Sequence, residues 1–316
     1  MKSPSAAIKP LSTVPLLSAL LMFFSCGGNR QEASLTAEAE ATDSSIVRIA
    51  VMPTLDCLPV FVASEHGFFD RRNVRVSLKT FQSQMDIDTA MTGGSVQCAV
   101  TDLVRHWRLR SQGMKGGHVF ATDAKWLLLT SRSSRIRQLH QLDDKMLAMT
   151  RYSATDLLAD LAVEQSGLAS ERVYRIQVND LRVRLEMLQN SIMDAMFLPE
   201  PQATLARIQK NTVLIDTDSL HIRLGCMAFF TDDATEKAIV EAINEAADSL
   251  NTRGIEAYAD IAMHRLAATE QMIDSLKTHT KFNHLTPPSP ADTLRVDQWW
   301  TKRNAETQYV EKRYIQ

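Results

Sequence analysis

The 316-residue chain carries 35 Lys and Arg against 37 Asp and Glu, a formal net charge of −2, and 45% of its residues are hydrophobic. That near-neutral balance argues against nucleic acid or other polyanions as partners, and the composition is that of a globular protein. Of the four cysteines, the first is assigned below to another role, and the odd remainder makes no disulfide framework.

The first residues carry positive charge only at Lys2 and Lys9, followed by an apolar run over 16–24 broken once by Ser18. A bilayer span needs roughly 20 apolar residues, so this run reads as a secretory signal over 1–25. The junction Phe23-Phe24-Ser25-Cys26-Gly27-Gly28 resembles a bacterial lipobox, which implies lipidation at Cys26. Acyl chains there would anchor the protein to a membrane without a transmembrane helix. Residues 26–45 are rich in Gly, Ala, Ser, Thr and Glu with no periodic apolar face, the pattern of a flexible tether. About 270 residues remain, enough for one large domain or two lobes.

In chain order the pattern predicts a strand over 46–52, a helix over 58–66 closed by Gly67, a strand over 74–78, and a helix over 83–92 with Ser83 and Asp86 placed for a capping box. A third strand over 96–101 leads into a helix from about Asp102. Strands separated by helices of this length imply a parallel sheet covered on both faces. The pattern then repeats: strand 146–150, helix 153–165, strand 172–178, helix 181–188 and strand 193–198. The apolar runs 126–130 and 223–231 are expected to cross between the two units. Residues 232–250 place Ile239, Val240, Ile243, Ala247 and Leu250 at a helical period, and the rest is helical apart from the breaker TPPSP. Cys98 and Cys226 sit in apolar strands and read as core thiols, whereas Cys57 lies in a loop where it could line a pocket.

The segment VRIAVMPTLDCLPVFVASEHGFFDRRNVRVSLKTF is similar to the opening of the type II periplasmic solute-binding proteins of the aliphatic sulfonate, nitrate and thiamine-precursor group of ABC importers, with their A-x-x-x-G-x-F helix end. TAMTGGSVQCAVTD and LQNSIMDAMFLPEP resemble two later segments of that group, with Gln97 in place of the usual Asp and Asn190 or Ser191 in place of Gly. The resemblance covers about residues 46–215. It implies an α/β fold of two lobes, each a mainly parallel sheet flanked by helices, joined by two hinge strands. Residues 46–125 with 218–316 would form lobe 1 and residues 126–217 lobe 2. It further implies a monomer facing the periplasm, which holds a small solute between the lobes and hands it to a permease and ATPase complex.

In open α/β sheets ligands bind beyond the carboxyl ends of strands, where loops enter helices. The loops at those places nominate Thr54, Asp56, Thr101, Asp102, Arg151, Tyr152, Ser153, Thr155 and Glu200, with Cys57 and Trp126 as further walls. Asp56, Thr101, Asp102 and Ser153 read equally well as helix N-caps, and Glu200-Pro201 as a helix start. Arg151 reads either as a ligand group or as a solvated surface residue. A helix N-terminus beside Arg151, Ser153 and Thr155 suits an acidic or hydrogen-bond-accepting group of a solute. Asp56, Asp102 and Glu200 would suit an amine or ring N–H.

Enzyme chemistry finds no footing: the eight His are scattered, with no metal-ligand spacing, no Cys-x-x-Cys, no P-loop, no Gly-x-Ser-x-Gly and no dinucleotide fingerprint. Neither a metal nor a cofactor is implied. The alternatives are an envelope sensor lipoprotein of the same fold, or an enzyme of that fold of the menaquinone- or thiamine-pathway type.

Overall fold

The computed structural model describes residues 45–314, with side chains through residue 305. The signal, the tether to Ser44 and the lipidation at Cys26 lie outside the described residues. Within them the chain folds as two five-stranded sheets flanked by helices.

β1 (Ile46–Val51) runs into the buried helix α1 (Leu58–Glu65), whose residues from Leu58 to Ala63 are all buried. A helix apolar all round belongs inside a protein, and α1 is covered by helices further along the chain. His66 caps it and Gly67 follows at φ +68, a left-handed conformation that glycine adopts without steric cost. β2 (Arg75–Thr80), α2 (Gln84–Thr92), β3 (Cys98–Asp102), α3 (Leu103–Ser111) and β4 (His118–Ala121) complete the first pass. Ser83 caps α2 by accepting from Met85 N–H at 3.2 Å.

The second pass comprises β5 (Trp126–Thr130), β6 (Lys145–Met149), α4 (Ala154–Ser166), β7 (Val173–Gln177), α5 (Leu181–Gln189), β8 (Ala195–Pro199), α6 (Gln202–Ile208) and β9 (Thr212–Asp216). The chain then returns through β10 (Gly225–Phe229) to α7 (Asp233–Arg253), α8 (Ala259–Leu266), α9 (Glu270–Leu276) and α10 (Pro290–Tyr314).

Strand order is β2-β1-β3-β10-β4 in lobe 1 and β7-β6-β8-β5-β9 in lobe 2. In each sheet the first three strands pair in parallel, and one antiparallel strand, β10 or β5, separates them from the edge. That strand is the one entered on crossing from the other sheet. The expected crossings at 126–130 and 223–231 are thus central strands. The connections themselves are residues 122–125 and 217–224, which run side by side, with Thr122 N–H donating to Gly225 C=O at 3.0 Å. A Cβ on residue 225 would overlap Ala124 and the Thr122 hydroxyl, so glycine lets the two connections touch. The edge strands β4 and β9 were not expected from the sequence.

α7 and α8 pack on α1 over the outer face of the first sheet, around Phe61, Phe229 and Ile243. A second core joins Leu103, Val104 and Cys226 to Leu128, Leu147 and Phe197. A third joins Ala50, Met52 and Ile87 of lobe 1 to Leu127, Leu181 and Leu198 of lobe 2. α10 buries Val296 in the second of these and packs against α3. Arg303 of α10 donates to both oxygens of the buried Asp156 on α4, at 3.1 and 3.3 Å, and Trp299 Nε1 donates to Asp160 at 2.7 Å. No helix of the described residues is long and apolar enough to cross a membrane.

Candidate functional site

The carboxyl ends of β1, β3, β6 and β8 meet between the lobes around a cavity of about 50 Å³. Thr54, Asp56, Thr101, Asp102, Trp126, Ser153 and Thr155 line it together. The lobes are tied on both sides of it. Leu55 N–H donates to Glu200 C=O at 2.8 Å and Gln202 Nε2 to Pro53 C=O at 2.8 Å. On the other side Leu181 N–H donates to Gln82 C=O at 3.1 Å.

Asp56 is held by two hydroxyls, Thr54 Oγ1 at 2.7 Å and Thr122 Oγ1 at 2.9 Å. Burial nevertheless raises its pKa above the usual carboxylate range. Asp102 ends β3 and caps α3, accepting from Arg105 N–H at 2.9 Å. Burial pushes its pKa up to about 6, while the Arg105 guanidinium and the N–H groups of Arg105 and Ala154 pull the other way. Trp126 is 8% exposed, both a wall of the cavity and part of the second core.

The other nominated residues lie elsewhere. Cys57 packs in the first core, its sulfur accepting from Met52 N–H and Thr54 Oγ1 at 3.5 and 3.4 Å. Burial pushes its thiol pKa far up, so it is an inert structural cysteine. Arg151 is exposed and does not line the cavity. Tyr152, at φ +54, turns its ring toward Trp300 of α10, with centroids 5.8 Å apart. Glu200 is buried and turned to its own helix, accepting from Thr204 N–H at 2.8 Å and from Arg207 at 3.1 Å. It borders a separate basin of about 840 Å³ that touches both connections.

Gln84, Thr150, Asn179 and Arg184 line the cavity without having been nominated. Two of them sit where the loops after β2 and β7 enter α2 and α5, and the strand-to-helix rule would have found Gln84 and Asn179 had it been applied to those loops. Arg184 left a fainter signal: a cation near the start of α5, where the helix dipole disfavours it. It is 5% exposed. Its Nε donates to Val178 C=O at 2.7 Å, Nη1 to Phe197 C=O at 3.1 Å, and Nη2 to Thr150 Oγ1. Among the described residues no carboxylate pairs with it, and burial, with the charge of Arg105 adding, draws its pKa down to about 10.

The first turn of α4 has largely used its donors. Ser153 Oγ accepts from Thr155 N–H at 3.2 Å, and Ser153 C=O accepts from the N–H groups of Asp156 and Leu157 at 3.0 and 3.2 Å. Among the described residues no group of three His, Cys, Asp or Glu is arranged to hold a metal ion.

The fold is shared with solved binding proteins. The ligand-binding component of an ABC-type import system from Staphylococcus aureus, solved with zinc bound, superposes with a TM-score of 0.70 at 14% identity, covering 83% of this chain and 92% of that one. The alkanesulfonate-binding protein SsuA from Xanthomonas axonopodis pv. citri, bound to MOPS, gives 0.68 at 15% identity over 83% and 95% of the two chains. The periplasmic nitrate-binding protein NrtA from Synechocystis gives 0.65 at 13% identity over 77% and 74%. These likenesses establish the type II periplasmic-binding-protein fold. No curated protein matches the chain by sequence. The family model NMT1/THI5 like matches residues 54–250, and the chain belongs to that family.

Proposed function

We propose that the chain is a solute-binding protein, not an enzyme, that captures a small organic solute bearing an acidic group between its lobes. The observation that carries this is Arg184. A buried guanidinium without a counter-charge is costly, and one facing the interlobe cavity is satisfied when a ligand brings the charge. Charge-assisted hydrogen bonds to such a fork are among the strongest a site can offer. A cavity of about 50 Å³ is far below the roughly 300 Å³ or more of typical ligand pockets, so the solute enters by separation of the lobes. Lobe 1 is then residues 46–125 with 218–316 and lobe 2 residues 126–217, moving about the connections at 122–125 and 217–224. Hinge closure around a ligand is a common motion of this architecture.

In this reading the protein is a monomer tethered through Cys26 to a membrane of the cell envelope, and it delivers its solute to an ABC permease and ATPase. The kinship with binding components of import systems supports that placement. The test is thermal denaturation of the full chain against alkanesulfonates, nitrate, amino acids and heterocyclic acids. A true solute at 100 times its Kd adds about 2.7 kcal/mol to stability, and Arg184→Gln should abolish the response. An equal response from Arg184→Gln would overturn the reading.

A further inference from the structure

Beside the two connections, α10 makes a third span between the lobes. Its approach is stitched to lobe 1: Ala121 N–H of β4 donates to Thr286 C=O at 2.7 Å, and the helix itself packs closely on α3. Its first turn holds the returning connection, with Asp292 accepting from Arg223 N–H at 3.3 Å. Further along, the same helix grips α4 of lobe 2. Trp299 Nε1 donates to Asp160 at 2.7 Å, and Arg303 donates to both oxygens of Asp156. Tyr152, next to the cavity-lining Ser153, adds to the grip. Its ring meets Trp300 of α10, with centroids 5.8 Å apart, and the Arg108 guanidinium of α3, 5.4 Å from its centroid.

The hold on α4 is one that can be released. An open groove of about 620 Å³ runs between α10 and α4, so these two helices meet through side-chain tips more than through a packed face. When Trp299 and Arg303 withdraw, neither carboxylate is stranded. Arg175 of β7 pairs with Asp160 and lies 3.9 Å from the buried Asp156, which also keeps the Tyr152 N–H at 2.8 Å. A buried carboxylate that retains partners costs far less than one left bare. We propose that α10 is a clasp: it stays on α3 when the lobes part, lets go of α4, and so sets how much of the solute-free chain stands open. Contacts made in the closed form and lost in the open one shift the balance between the two by their own free energy. The clasp shares with the solute-binding reading only the parting of the lobes.

The test follows one amide of the full chain with no solute present. Leu181 N–H donates to Gln82 C=O across the mouth, so its hydrogen exchange, followed by NMR, reports how often the lobes part. Trp299→Phe/Arg303→Met removes both donors to α4 and keeps most of the bulk. It should speed exchange at Leu181 about tenfold or more, which is about 1.4 kcal/mol of opening free energy. Ile243→Val, a small loss of packing inside the first core, controls for general softening and should leave that rate nearly unchanged. Arg303→Met alone takes the place of the double variant if circular dichroism shows the latter folding poorly. A Leu181 rate that stays the same in the clasp variant, or rises no more than in Ile243→Val, would overturn the clasp, because α10 would then keep its contacts with α4 as the mouth opens. Since no solute enters the measurement, the clasp and the solute-binding reading fail separately.

Discussion

Two buried arginines, one in each lobe, show how the same architecture is put to different use. Arg105 on α3 is fully buried and paired with Asp88 of α2, so its charge is answered within lobe 1. Arg184 on α5 is buried almost as deeply, yet it meets only carbonyls and a hydroxyl. The sheets beneath them share one strand order and one antiparallel interloper. Topology therefore decides where the loops converge, and the side chains decide which charge is left over. Lobe 1 presents Asp56 and Asp102 to the cavity and lobe 2 presents Arg184, a bipolar cleft built on a repeated frame.

The sharpest way to break this comparison is to remove each arginine in turn. Arg105→Ala leaves the buried Asp88 only the more distant Arg108 at 3.6 Å, and losing the main partner of a buried pair typically costs about 3–5 kcal/mol of stability. Chemical denaturation should show that loss; a midpoint within error of the unaltered chain would mean that the pair is not holding lobe 1 together. Arg184→Gln strands no carboxylate, so its stability loss should be the smaller. Two charge-assisted hydrogen bonds to a solute are each worth about 1.5–3 kcal/mol, so affinity for an acidic solute should fall by more than about 100-fold. Equal stability losses from the two variants would erase the distinction.

Acidification sharpens it further. Asp102 has its folded pKa raised to about 6, so the native state holds its proton more tightly, and this group adds stability as pH falls from 7 toward 4. His106, drawn down to about 4 by burial with Arg110 adding, works the other way and subtracts stability below about pH 6.5. Burial is the main cause of the Asp102 shift, with Arg105 and the N–H groups of Arg105 and Ala154 opposing it and the charge of Asp88 adding to it. Asp102→Asn removes that gain and leaves the contributions of His106 and of the other buried carboxylates, Asp56, Asp88 and Asp156, which burial also raises. Thermal melts should therefore show the variant losing more stability than the unaltered chain between pH 7.5 and 5, by about 1.4 kcal/mol, since pH 5 lies one unit below the folded pKa. Parallel pH profiles would count against a carboxylate buried at that position. The smallest effect is expected at α10: Arg303→Ala removes a partner of Asp156, but Arg175 remains 3.9 Å from the same carboxylate. A loss of about 1 kcal/mol in a denaturation series is expected, well below that of Arg105→Ala.

Much of the fold is legible in the residues because eight strands carry buried apolar runs or alternation between well-capped helices. The strands at 118–121 and 212–216 are the exceptions. His118–Ala121 is four residues long and partly exposed, and Thr212–Asp216 is half-buried at a sheet edge, so neither shows the period of a central strand. The site is legible where it depends on loop position, as with Thr54, Asp56, Thr101, Asp102, Ser153 and Thr155. It is faint where it depends on tertiary burial. Arg184 sits a full turn inside a helix among other charged residues, and only packing against Val178, Phe197 and Thr150 distinguishes it from Arg182, which lies exposed. Arg151 stands next to the right loop, yet it faces solvent.

The apolar cluster that runs from Met52 and Ile87 across to Leu181 and Leu198 has a calorimetric consequence. Parting the lobes wets hydrocarbon surface, so opening carries a positive heat-capacity change, as unfolding does on a larger scale. Capture of a solute, by restoring that contact, should then show a negative heat capacity of binding larger than the solute's own apolar area can supply. The excess would be the signature of the protein's surface closing on itself.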